Sequence, residues 1–191
     1  MKKIIIIVIL LCGFLNNSYA EIIRIADGNS DAKITIIAYE SLTCSHCADF
    51  HKNIYPQLKK DYIDTGIARI EFRHFPLDVA AFNASKITQC GKNQGLEILG
   101  RLYSDQQKWV KGKTVEDLNN NLKDYLETNG FNLDFEKCIN DKKIEDFVLN
   151  DRIEGAKNFD VNATPTIIIN DEKFEKSLNY KNLKKFLEKM I

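Results

Sequence analysis

The chain carries no excess of either charge: 27 Lys and Arg stand against 27 Asp and Glu. A basic face of the kind that grips a phosphate backbone is therefore not expected, and no nucleic-acid partner with it. No internal repeat and no low-complexity tract occurs. With 44% hydrophobic and 28% charged residues, the composition also excludes a disordered chain. Beyond residue 15 no stretch is apolar enough to span a bilayer. There is one CxxC, no second one, and no HxxxH, so the paired ligand sets of a structural zinc site are missing. What is present is a chain of 191 residues, long enough for one domain with a real core, or one domain bearing an insertion.

The first twenty residues indicate a compartment. Lys2 and Lys3 precede an apolar run from Ile4 to Leu15, broken only by Gly13, and a polar stretch then ends in a small-x-small pattern at Ala20. This is the layout of a secretory signal peptide, with cleavage expected after Ala20. A run of about 12 apolar residues is short for a span, which needs ~20. An uncleaved anchor is the alternative; lipoprotein processing at Cys12 is disfavoured by Leu11 before it. Cleavage removes Lys2, Lys3 and Cys12, leaving 25 basic against 27 acidic side chains and four cysteines, Cys44, Cys47, Cys90 and Cys138. An even number in an exported chain permits full pairing, with three connectivities open.

Along residues 21–191, the segment 22–25 suggests a short edge strand closed by a turn at 27–31. Residues 33–39 are β-branched and apolar, a buried strand that runs directly into Ser41-Leu42-Thr43-Cys44-Ser45-His46-Cys47. Phe50, Ile54, Leu58 and Tyr62 then recur every fourth residue, the stripe of a helix facing a core. Residues 67–75 form the next strand, closed by Pro76. Strand, CxxC, helix, strand is a βαβ-type unit. From about 79 to 158 the signals are helical, carried by Leu96, Leu99 and Leu102, by Leu118, Leu122, Tyr125 and Leu126, and by Ile139, Ile144, Phe147, Val148 and Ile153. Thr114 with Asp117 resembles a capping start and Asn129-Gly130 a stop, and three or four packed helices are expected. A buried strand at 166–170 follows, then a tight turn at Asp171-Glu172, a short strand near Phe174, and a final amphipathic helix over 180–190 with its lysines in solvent. The parts fit a small α/β fold with a helical insertion.

Position gives the CxxC its chemistry. It lies at a strand-to-helix junction, where a helix N-terminus offers free N–H groups and a partial positive charge. A thiolate at Cys44 is stabilised there, and a protonated or hydrogen-bonding His46 adds to that. Such settings lower a cysteine pKa from ~8.5 into roughly the 3.5–7.5 range. A stabilised thiolate favours the dithiol form, so the disulfide becomes a strong oxidant. Redox chemistry is the expectation. A metal carrier using Cys44, Cys47 and a histidine, or an inert structural disulfide, are the alternatives.

The string Glu40-Ser41-Leu42-Thr43-Cys44-Ser45-His46-Cys47-Ala48-Asp49-Phe50-His51 resembles the active site of the DsbA-like family of thiol:disulfide oxidoreductases. The likeness extends to His74-Phe75-Pro76-Leu77-Asp78 and to Ala163-Thr164-Pro165-Thr166, and covers essentially all of residues 21–191. The resemblance implies a thioredoxin fold with a helical insertion, its core at about 21–78 and 159–191 and its insert at about 79–158. It also implies a nucleophilic Cys44, a resolving Cys47 and a cis-proline, Pro165, opposite them. Extended backbone at Thr164 would then pair with a substrate peptide. Two departures stand out. Ser45 replaces the proline that often follows the first cysteine, and Ala38 stands where many relatives carry an acid. Glu40, two residues on, faces the same side of a regular strand and is the candidate proton acceptor for the thiols. The competing reading is a solvated acid at a strand end. His51 and His74 are expected to be packing histidines, and Trp109 to pack within the insert.

With the CxxC pair accounted for, export and the even count favour a second, structural disulfide between Cys90 and Cys138. Relatives with an added cysteine pair in this insert support it by analogy; two buried free thiols are the alternative. The function implied is a periplasmic oxidase that introduces disulfides into unfolded exported proteins with free thiols. By family analogy a membrane oxidase reoxidises Cys44 and Cys47. No cofactor or metal is expected, and the protein is expected to be a monomer. A reductase or isomerase of the same fold, and a non-catalytic chaperone, complete the competing readings.

Overall fold

The structure, a computed structural model, describes residues 22–191. The expected signal peptide lies outside the described residues. Strand β2 (Ile34–Glu40), ITIIAYE, organises the sheet, and its composition shows why: almost every position is apolar or β-branched, as a strand covered on both faces requires. Alternation divides its side chains. Ile34, Ile36 and Ala38 enter the main core with residues such as Ile70, Phe72 and Ile167, whereas Ile37 and Tyr39 join Phe75, Val161 and Ile168 on the opposite face. β2 pairs in parallel with β3 (Ala68–His74) and antiparallel with β4 (Thr166–Ile169). β1 (Ile25–Asp27) closes one edge against β3 and β5 (Glu172–Lys173) the other against β4, giving the order β1-β3-β2-β4-β5. The edge strand starts later than expected, at Ile25. The turn between β4 and β5 falls one residue earlier, at Asn170 and Asp171, both left-handed (φ 46° and 68°), a conformation these short polar residues tolerate.

The helix expected to run from the CxxC to Tyr62 is divided. α1 (Ser45–Asn53) ends at Ile54, α2 (Tyr55–Leu58) restarts with Pro56 in its first turn, and a π-helical turn follows at Lys59–Ile63. Proline has no N–H to donate back into the preceding turn, so the ladder is interrupted there. The apolar stripe survives the break: Phe50, Leu58 and Tyr62 are all buried.

Between β3 and β4 the described residues form six α-helices, more than the three or four expected: α3 (Val79–Cys90), α4 (Gly95–Ser104), α5 (Gln106–Trp109), α6 (Val115–Thr128), α7 (Phe135–Asn140) and α8 (Lys142–Phe159). The surplus comes from polar caps that restart the chain. Asp78, Thr114, Asp134 and Asp141 each accept a first-turn backbone N–H, and Thr114 with Asp117 completes a capping box. Cys90, at the end of α3, is bonded to Cys138 of α7 (S–S 2.01 Å, Cα–Cα 5.7 Å). Trp109 is buried in this region, its indole N–H donating to the Leu102 carbonyl at 2.8 Å. The C-terminal helix α9 (Tyr180–Leu187) buries Leu183 and Leu187 and leaves Lys181, Lys184 and Lys185 exposed. Among the described residues no helix is long and apolar enough to cross a membrane.

Helix α8 lies on the second face of the sheet, and one glycine lets it approach. A Cβ at Gly155 would come within 2.7 Å of the Tyr39 ring. Gly155→Ala should therefore be destabilising by about 1–3 kcal/mol through overpacking, although alanine is better than glycine in a helix by about 1 kcal/mol. Urea unfolding of the two proteins measures the difference; a more stable variant would show that α8 is not held this close.

Candidate active site

Cys44 stands where β2 gives way to α1. Its backbone is extended (φ −78°, ψ 120°) and it occupies the N-cap, so its sulfur sits by the unpaired N–H groups of the first turn. The connecting turn is closed by the Cys44 N–H donating to the Ser41 carbonyl at 3.0 Å. Two neighbours hold that turn in place. From the β3–α3 loop, the Leu77 N–H donates to Ser41 Oγ (3.2 Å), and Asp78, which caps α3, accepts from the Thr43 hydroxyl (2.6 Å). From the insert, Gln106 Nε2 donates to the carbonyls of Leu42 (2.7 Å) and Cys44 (3.1 Å).

Strand β4 supplies the third side. Its register sets Thr166 opposite Tyr39, so the residues just before it run beside the loop leaving β2. The Thr164–Pro165 peptide bond is cis, and Cys44 Sγ lies 3.3 Å from the Thr164 carbonyl oxygen, to which it can donate only when protonated. Pro165 immediately precedes β4, where the ladder needs no N–H from it.

The two thiols are both free and differ sharply in surroundings. Cys44 is half-buried, Cys47 0% exposed. The hydrogen bond from Cys47 is the largest of the influences that lower the Cys44 thiol from its ordinary 9.0 to about 5. Burial opposes it; the proximity of Thr164 and the backbone N–H groups of Cys47 and His46 assist it. Cys47 is pushed far above the ordinary range, first by burial, then by donating to Cys44, and by the charge of Glu40. The pair thus holds one proton at neutral pH, on Cys47. His46 contributes its backbone N–H; its side chain is exposed and lines a groove rather than covering the sulfur.

Glu40 is not a solvated acid. It is 4% exposed, and its Oε2 lies 2.8 Å from His51 Nε2. His51 is more than packing: besides this contact, its ring stacks on Tyr103 of α4 with centroids 4.1 Å apart. His74 is the buried packing histidine expected, with Nε2 3.2 Å from Gln89 Oε1. Gln106 and Tyr103 had no sequence signal, because the insert carries them and only the tertiary fold brings them to the CxxC. Two hollows flank the site. A groove of about 600 Å³ runs past His46, Phe50, Ile54, Thr164, Pro165 and Leu178. A cleft of about 710 Å³ separates α1 and α2 from α4 and α5 and is lined by His51, Tyr55, Tyr103 and Gln106. Among the described residues no cluster of three or more His, Cys, Asp or Glu is placed to hold a metal ion.

Comparison with known proteins agrees with this architecture. The family model described as thioredoxin matches residues 22–189. The crystal structure of Wolbachia pipientis alpha-DsbA1 superposes with a TM-score of 0.76 at 30% identity, covering 86% of this chain and 88% of that one. A putative protein-disulfide oxidoreductase of Rickettsia bellii is 30% identical over 146 residues, 75% of this chain but 55% of that protein. Disulfide bond formation protein D of Bacillus subtilis is 26% identical over 174 residues, 86% of this chain and 75% of that protein. The chain thus spans little more than half the length of the rickettsial relative.

The proton shared unequally by the thiols has a consequence for stability. In the dithiol protein Cys44 is depressed to about 5 from 9.0, so its contribution is complete above about pH 9 and is lost as pH falls to about 5. Cys47, raised, acts oppositely: it begins to destabilise above its unfolded value of 9.0. The stability of the dithiol form relative to the disulfide form should therefore rise from pH 5 to 9 and turn down above it. Denaturant titrations of both forms across pH check this; a flat difference between pH 5 and 9 would contradict the assignment of the thiolate to Cys44.

Proposed function

This chain belongs to the DsbA-like, thioredoxin-fold disulfide oxidoreductases, and we propose that it is an exported member that introduces disulfide bonds into unfolded proteins outside the cytoplasm. Residues 1–20 would serve as the cleaved export signal, and the periplasm would be the working compartment. The observation that carries the reading is the asymmetry of the CxxC: a thiol lowered to about 5 at the mouth of the site, with its partner thiol buried behind it. A dithiol that holds one sulfur as thiolate is a poor reductant, so its disulfide is readily reduced by others.

In the forward reaction a substrate thiolate attacks Cys44 Sγ of the Cys44–Cys47 disulfide. The bond to Cys47 breaks, Cys47 takes the electron pair and then a proton, and a mixed disulfide remains on Cys44. A second substrate thiolate attacks the substrate sulfur of that bond. Cys44 leaves as the stabilised thiolate, the substrate is oxidised, and the enzyme holds both electrons. Thr164, beside the cis Pro165 in the groove past His46, would offer its backbone to an unfolded segment by strand addition. Glu40 is the proton acceptor or donor for Cys47. A membrane oxidase would remove the electrons from Cys44 and Cys47, and the cysteines need no bound cofactor. The protein would act as a monomer, with the bonded Cys90 and Cys138 bracing the insert.

The test is direct. The disulfide form is expected to oxidise a two-cysteine peptide stoichiometrically, Cys47→Ser to accumulate a mixed disulfide through Cys44, and Cys44→Ser to do neither. Rapid insulin reduction with no peptide oxidation would overturn the oxidase reading in favour of a reductase.

A further inference from the structure

Cys47 cannot exchange its proton with bulk water directly, because it is 0% exposed. Yet when the disulfide opens, Cys47 leaves as an anion in surroundings that strongly favour the thiol. A proton must reach it from inside the protein.

The neighbouring groups describe a route. Glu40 is 4% exposed and does not line either hollow, and one of its oxygens, Oε1, has no hydrogen-bond partner. The other, Oε2, is 2.8 Å from His51 Nε2. His51 does reach a hollow: it lines the cleft between α1–α2 and α4–α5. Its ring is held by stacking on Tyr103 and by contacts with Phe50 and Phe72 at centroid distances of 5.6 and 5.1 Å. We propose that Glu40 and His51 form a two-residue proton relay that connects the buried sulfur of Cys47 to water in the insert-side cleft, on the opposite side of α1 from the substrate groove. The proposal rests on the dithiol exchange described above and adds to it a second residue and a direction.

The step balances. The transferred proton is the one carried between Glu40 Oε2 and His51 Nε2. As the substrate thiolate bonds to Cys44 and the Cys44–Cys47 bond breaks, that proton passes to Cys47 Sγ through the free Glu40 oxygen. The dyad is left as carboxylate and neutral imidazole, and draws its replacement from cleft water through His51. Reoxidation runs the same path outward. Other titratable groups face the dyad from each element packed against it. From α1 they are Cys44 and Cys47 themselves. From α4 and α2 they are the phenols of Tyr103 and Tyr55, both raised chiefly by burial; Tyr103 is raised also by the charge of Glu40 and by donating to its carboxyl, which holds Glu40 in place, and Tyr55 by its hydrogen bond to Asp27 of β1 (2.5 Å). From β3, His74 lies level with Glu40 but is engaged with Gln89. Charges at the cleft mouth come from Asp49, Lys52, Lys59, Asp105 and Lys108.

Single-turnover reduction of the disulfide protein by a thiol peptide, with acid quench and thiol labelling, tests the relay. Glu40→Gln and His51→Gln should each slow release of Cys47 on the order of a hundredfold, the scale of a lost general acid. Because the two act in series, the double variant should be no slower than the slower single one. In His51→Ala, imidazole added to the buffer should enter the cleft and restore most of the rate, which a merely structural defect would not allow. Thermal unfolding of each disulfide form confirms that the variants are folded. Rates within twofold of the parent, effects that multiply in the double variant, or no acceleration by imidazole would overturn the relay while leaving the oxidoreductase reading intact. A parent protein that exchanges no disulfide at all would overturn both.

Discussion

One shared proton between two sulfurs is the interaction on which the rest of this structure depends. Cys44 and Cys47 are three residues apart on a helix N-terminus, close enough for the second thiol to donate to the first. The helix end and its first-turn N–H groups decide which sulfur holds the negative charge. Burial decides the other half, since a desolvated Cys47 cannot carry charge. In the oxidase reading proposed above, the two together would favour the dithiol state over the disulfide.

That arrangement needs a rigid junction, and three separate parts of the chain provide it. The β3–α3 loop holds Ser41 and Thr43, the insert holds the carbonyls of Leu42 and Cys44 through Gln106, and the loop before β4 places Thr164 against the sulfur. The insert is thus part of the candidate active site rather than an ornament on it. Its α4 also supplies Tyr103, which fixes the ring of His51 over the buried Glu40. The Cys90–Cys138 bond ties two helices of the same insert together.

Much of this could be read from local pattern. The β-branched run of β2, the CxxC that follows it and the Thr114–Asp117 cap are each specified within a few residues. The division of the first long helix at Ile54 was also visible in principle, since Pro56 cannot continue the ladder; the four-residue apolar repeat concealed it because burial persists through the break. Glu40 was half legible. Strand alternation put it on the same side as Ala38, but only the packing of α1 against β2 shows that His51 meets it there. Gln106 was not legible at all: it lies 62 positions from Cys44, in a short helix whose sequence has no motif. Contacts of that kind are set by how the insert docks, which depends on many side chains at once.

The central claim is that the charge of the CxxC resides on Cys44 and not on Cys47, and thiolate absorbance of the dithiol protein as a function of pH measures it most directly. The account expects a single thiolate to appear with a midpoint near 5, to be absent in Cys44→Ser, and no second ionisation of the folded protein through pH 9. A midpoint near the ordinary 9.0, or a low-pH thiolate that persists in Cys44→Ser and vanishes in Cys47→Ser, would contradict it.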